Sequence, residues 1–128
     1  MERLANKRIL VVDDNKDITD LVQTMLDSPS YSCVVAHSGE ECLDILKKEG
    51  FDLVLLDLAM PGMSGLDVLS RLAENPATRP HNIVIFTASP EYSDADLKTV
   101  RGWYGALERV NKPFTEDELR SVIDKYLK

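Results

Sequence analysis

The sequence predicts an α/β domain on a doubly wound, five-stranded parallel sheet. Three observations carry that expectation. Five short runs rich in apolar and β-branched residues recur along the chain. Amphipathic helical patterns stand between most of them, the alternation that a parallel sheet needs for its crossovers. Several runs are apolar on consecutive positions, as strands covered on both faces are.

Arg8-Ile-Leu-Val-Val12 reads as the first buried strand. Ile18, Leu21, Val22, Met25 and Leu26 follow at helical spacing, predicting a helix over 16–28 that Pro29 ends. Ser32-Cys-Val-Val-Ala36 is the second strand. Ser38 and Glu41 have capping-box spacing, and Cys42, Leu43, Ile45 and Leu46 form the stripe of a helix that Gly50 ends. Phe51-Asp-Leu-Val-Leu-Leu56 is the third strand, with Asp57 at its carboxyl end. After the turn Met60-Pro-Gly-Met-Ser-Gly65 comes a helix carrying Leu66, Val68, Leu69 and Leu72. Asn82-Ile-Val-Ile-Phe86 and Leu107-Glu-Arg-Val-Asn111 are the fourth and fifth strands. Between them Asp94 to Val100 supports only a short helix, limited by Pro90 and Gly102. Thr115 and Glu118 are spaced as a second capping box, opening a final helix with Leu119, Val122, Ile123 and Tyr126.

The chain has 128 residues and a net charge of −7. That length predicts one domain, 1–128, with no output domain attached, and it buries roughly two-thirds of its unfolded surface. With 44% apolar and 29% charged residues, the composition is that of an ordinary globular protein. No apolar stretch is long enough for membrane insertion, and no secretory h-region opens the chain. An acidic chain without a dense basic run argues against direct nucleic-acid binding. Cys33 and Cys42 fit neither a CxxC redox pair nor a zinc knuckle, so both read as reduced structural thiols of a cytoplasmic protein.

In open α/β sheets the ligand site lies beyond the carboxyl ends of the strands. Asp13 and Asp14 follow the first strand, Asp57 the third, Thr87 the fourth and Lys112 the fifth. Three carboxylates on one rim repel, which raises the pKa of at least one and invites a divalent cation. An all-oxygen set without His or Cys favours Mg²⁺, with Mn²⁺ as an equivalent. Lys112 adds a charge for a transferring phosphoryl group, Thr87 a hydrogen-bond donor, and a carboxylate can itself be the nucleophile. Taken singly, paired Asp after a strand are often only loop and N-cap residues. The weight lies in all four strand ends agreeing.

These residues resemble the receiver domain of two-component response regulators: Ile9-Leu-Val-Val-Asp-Asp14, Asp57-Leu-Ala-Met-Pro-Gly-Met-Ser-Gly65, Thr87-Ala88 and Lys112-Pro113-Phe114. The resemblance runs from about Lys7 to Leu127. It implies a (βα)5 flavodoxin-like fold of strand order 2-1-3-4-5. It implies Asp57 as the phosphoacceptor, Asp14 as a direct Mg²⁺ ligand assisted by Asp13, and the Ala59 carbonyl as a further ligand. Thr87 resembles the switch hydroxyl, Lys112 the phosphoryl-pairing lysine, and Lys112–Pro113 a cis peptide bond. Ala59 and Ser89 occupy positions that resemble those tuning dephosphorylation in the family. The implied donor is a phosphohistidine on a sensor histidine kinase or a histidine phosphotransfer protein. The implied recipient of the signal is a downstream protein or a fused output domain. The domain would assist its own phosphorylation and dephosphorylation while serving as a switch.

Two features depart from the pattern. The family usually has Tyr or Phe three residues before the lysine, where this chain has Arg109. Arg109 reads either as a solvated arginine without a switch role or as one that reaches an acidic partner. The interval from Thr87 to Lys112 is longer than is common and holds Trp103, which packs in a core or, if exposed, anchors an interface. Asp13-x-Asn15-x-Asp17 imitates an EF-hand loop but has Ile18 where glycine is needed. His37 and His81 read as surface residues, and Met60 and Met63 as packing residues. A phosphate-independent interaction module is the competing function. A phosphatase of small substrates is weaker, because Asp57-Leu58-Ala59 lacks the second Asp of haloacid-dehalogenase-like enzymes.

Overall fold

A computed structural model describes residues 7–75, 82–87 and 106–127. The elements are β1 (Lys7–Val12), α1 (Lys16–Met25), β2 (Tyr31–Ala36), α2 (Gly39–Lys48), β3 (Leu53–Leu56), α3 (Gly65–Glu74), β4 (Ile83–Thr87), β5 (Ala106–Asn111) and α4 (Glu116–Leu127). All five strands are parallel, in the order β2-β1-β3-β4-β5. The helix expected between Asp94 and Val100 lies outside the described residues, as do Ser89, Trp103 and His81.

Alternate strand residues feed two separate cores. Leu10, Val12, Val54, Leu56, Ile83 and Ile85 face α2 and α3, meeting Cys42, Leu46, Val68, Leu69 and Leu72. Ile9, Val11, Leu53, Leu55, Val84 and Phe86 face α1 and α4, meeting Val22, Leu26, Leu119, Val122 and Ile123. Helices therefore cover both faces, which is why the central strands are apolar without alternation. The two cysteines are free, Cys42 within the first core and Cys33 packed against the second. Burial pushes the Cys33 thiol up to about 11 and the Cys42 thiol to about 12, with nearby Asp27 and Glu41 adding to the respective shifts. Among the described residues no helix is long and apolar enough to cross a membrane.

Local chemistry sets the element ends. Asn15 caps α1, its Oδ1 accepting from the Asp17 and Ile18 amides at 2.9 and 3.4 Å. The helix stops at Met25, short of Ser28, because a residue before proline disfavours helical backbone and the chain must unwind ahead of Pro29. Arg120 Nη2 of α4 donates to the Met25 carbonyl at 2.6 Å. The Ser38 hydroxyl accepts from the Glu41 amide as its spacing predicts, but the Glu41 carboxylate takes the His37 amide, at 2.6 Å. Phe51 and Asp52 fall outside β3, and the Asp52 carboxylate accepts from the Arg8 amide at 2.7 Å. Ser64 and Asp67 close a complete capping box on α3.

At α4 both capping-box bonds are present: Thr115 N–H to Glu118 Oε1 at 2.8 Å, and Glu118 N–H to the Thr115 hydroxyl at 3.1 Å. Thr115→Ala is expected to lower stability by about 1 kcal/mol. Urea unfolding measures this; an unchanged midpoint would show that the cap contributes nothing.

Candidate functional site

Register builds the site. Val12 pairs with Leu56 across β1 and β3, so the next residues, Asp13 and Asp57, leave the sheet abreast. The Asp57 amide donates to the Val12 carbonyl at 3.0 Å, and the Asp13 amide to the Ala36 carbonyl at 3.1 Å, which fixes both backbones. Thr87 ends β4 opposite Asn111 of β5, so Lys112 emerges on the same rim. The Lys112–Pro113 peptide bond is cis.

Below Asp57 the chain turns sharply. Gly62 adopts a φ of 72°, in the left-handed region that glycine enters without a Cβ clash. The chain then brings Gly65, the first residue of α3, against the sheet, with its amide 2.9 Å from the Leu58 carbonyl. A Cβ at Gly65 would collide with the Asp57 carbonyl and stand 2.7 Å from Leu58 Cα. The close approach of α3 to the Asp57 backbone therefore depends on glycine at this position. Met60 is buried in the core under α2 and α3, and Met63 packs against it.

Asp13 and Asp57 are only 1% and 4% exposed, whereas Asp14 is open to solvent. Oxygens of the three carboxylates lie within 4.8 Å of one another. Asp13 Oδ1 accepts from the Asn15 amide at 2.9 Å, and its Oδ2 pairs with the Lys112 ammonium. Asp57 Oδ1 accepts from the Ala59 amide at 3.2 Å, while its Oδ2 is 3.6 Å from Lys112 Nζ. One ammonium thus faces two buried carboxylates. The Phe86 ring completes the enclosure, its centroid 4.8 Å from Lys112 Nζ.

Burial raises the Asp57 carboxyl from 3.8 to about 6, against the opposing attraction of Lys112, while the Asp13 charge adds to the rise and the Ala59 amide reduces it. Repulsion between carboxylates, the cause expected from sequence, is present but second to desolvation. Two buried carboxylates beside an exposed third, with no nitrogen or sulfur donor among them, suit a hard divalent cation that keeps some of its water. The donor set therefore fits Mg²⁺.

The other sequence candidates fall nearby or beyond. Ala59 is exposed at the rim. Arg109 is half-buried in β5, opposite Ile85. His37 is exposed, with Nε2 3.1 Å from the Thr19 hydroxyl, away from the carboxylate cluster's hydrogen bonds. The Phe86 ring was not singled out by sequence reading. Its one signal is an aromatic directly before Thr87 in an otherwise aliphatic strand.

Residues 9–124 match the profile of the response regulator receiver domain. The chain is 36% identical over 124 residues to the sporulation initiation phosphotransferase F of Bacillus subtilis, covering 97% of this chain and 96% of that protein. It is 34% identical over 122 residues to the transcriptional regulatory protein CpxR of Escherichia coli, covering 94% of this chain and 49% of that protein. The chain thus spans about half the length of that regulator. Among solved structures it resembles the response regulator protein TrrA of Thermotoga maritima in complex with Mg²⁺-BeF, at 37% identity and a TM-score of 0.79, covering 94% of this chain and 99% of that one. The chemotaxis protein CheY4 of Vibrio cholerae superposes with a TM-score of 0.85 at 25% identity, covering 96% of this chain and all of that one.

Proposed function

This chain belongs to the receiver domains of two-component response regulators, and on that premise we propose that Asp57 accepts a phosphoryl group and the domain then signals by protein contact. The observation that carries the reading is the rim itself: Asp57 buried beside Asp13 and Asp14, with the Lys112 ammonium 3.6 Å from its Oδ2. The donor is a phosphohistidine of a sensor histidine kinase or a histidine phosphotransfer protein. An Asp57 oxygen forms the new bond to phosphorus as the P–N bond breaks, and that electron pair stays on the imidazole nitrogen. Hydrolysis by water later returns Asp57 to a carboxylate and releases inorganic phosphate.

Each residue has a part. The Ala59 amide holds Asp57 Oδ1 in place. Lys112 hydrogen-bonds an oxygen of the arriving group and offsets its charge. Thr87 acts as the switch hydroxyl. Asp13, Asp14, Asp57 and the Ala59 carbonyl would hold Mg²⁺, or Mn²⁺, which when bound supplies charge neutralisation for the phosphoryl oxygens. By the resemblance, Ala59 and Ser89 stand at positions that tune dephosphorylation, and both are small residue types. The downstream partner is a separate protein or an output domain, and with its free thiols the chain suits the cytoplasm.

The test is intact mass after incubation with acetyl phosphate and Mg²⁺. Wild type is expected to gain one phosphoryl group, and Asp57→Asn or chelated protein none. No uptake by folded wild type, or equal uptake by Asp57→Asn, would overturn Asp57 as the acceptor and leave the phosphate-independent interaction module.

A further inference from the structure

A lysine ammonium is a compact charge on a flexible four-carbon stem, so its placement depends on what surrounds it. Here Asp13 and Asp57 attract Lys112 from one direction. On another side the Phe86 ring lies 4.8 Å from Nζ, within the range at which an aromatic face attracts a cation. Phe86 is itself held: it is 1% exposed, and the Phe114 ring packs on it edge-on at 6.1 Å and 61°. Phe86 pairs with Val110 across β4 and β5, so the same sheet register that delivers Lys112 to the rim sets the ring beside it. Filling the core at this position requires only apolar volume, which Ile83, Val84 and Ile85 of the same strand supply without a ring. An aliphatic side chain has no quadrupole to hold the ammonium.

Resting on the phosphoacceptor function, we infer that Phe86 is a positioning residue whose ring face fixes the Lys112 ammonium beside Asp57 for the incoming phosphoryl group. Lys112 touches the reacting atoms, and Phe86 acts through it. The ring limits how far Lys112 can follow Asp13 away from Asp57 and keeps the stem from folding back. The arrangement contributes most where the ammonium is desolvated, as it is here.

The experiment compares wild type, Phe86→Leu and a full chain carrying trifluorophenylalanine at 86, which keeps the ring's shape and withdraws its negative face. Phosphoryl uptake from acetyl phosphate with Mg²⁺ is expected to slow about five- to thirtyfold in both variants. In metal-free protein, proton NMR should show the Lys112 side-chain resonances shifted by the ring current in wild type and released in Phe86→Leu. If Phe86→Leu fails to fold, the fluorinated chain decides. Unchanged rates in the folded variants, with Lys112 resonances the same with and without the ring, would overturn the inference while leaving the phosphoacceptor function intact. No uptake by wild type would overturn that function, and this inference with it.

Discussion

Gly65→Ala is expected to destabilise the domain by about 3 kcal/mol and to slow phosphoryl uptake as well. An added Cβ would strike the Asp57 carbonyl and the backbone at Leu58, neither of which is the yielding end of a flexible side chain. The helix must therefore move off the sheet or the Asp57 backbone must shift. Alanine's better helix propensity, about 1 kcal/mol over glycine, offsets only part of that cost. Gly50 provides the control, because nothing lies within 4 Å of a Cβ built there. Gly50→Ala is expected to be neutral or to stabilise by up to about 1 kcal/mol. Urea unfolding should show a lowered midpoint with an unchanged slope for Gly65→Ala alone. Matching midpoints for the two variants would refute the close-packing account.

Asp57→Asn is expected to stabilise the fold at pH 8 by up to about 3 kcal/mol, and much less near pH 4. Burial holds the native Asp57 carboxyl at about 6, above its ordinary 3.8. Between those values the native state binds the proton more tightly than the unfolded chain does. Unfolding free energy contributed by this group therefore falls as pH rises through the window, and above about 6 the buried charge acts at full cost. Asparagine keeps the shape and an oxygen for the Ala59 amide but carries no charge. Mg²⁺ should narrow the gap by stabilising wild type. Denaturant unfolding of both proteins at pH 4 and pH 8 measures this. An Asn variant no more stable than wild type at pH 8 would remove the basis for the argument.

The layers of this fold could be read from sequence because its strands are buried on both faces. Ile9 to Val12 and Leu53 to Leu56 leave no polar position to mistake for a surface, and the capping pair at Thr115 marks the start of α4. The rim followed from the same pattern, since parallel strands all place their carboxyl ends together. What escaped was set by tertiary contact. The Lys112–Asp13 pair joins residues 99 positions apart. Phe86 looks like any core aromatic until Lys112 is placed over it. The need for glycine at position 65 depends on the distance between α3 and Asp57, which no local pattern encodes. The early end of α1 and the partial box at Ser38 show local rules giving way to neighbours, Pro29 in one case and the His37 amide in the other.

Because the sheet divides the interior, each layer contains a thiol of its own. Cys42 is sealed among the residues facing α2 and α3, and Cys33 is packed beside those facing α1 and α4. Neither thiol ionises appreciably at neutral pH while its layer is closed. An alkylating reagent therefore reaches buried Cys42 only as fast as its layer opens, whereas half-buried Cys33 is open to reagent from the folded surface. Peptide mapping of the two sites separates opening of the layer under α2 and α3, reported by Cys42, from reaction at the folded surface, reported by Cys33, and the native chain carries both without substitution.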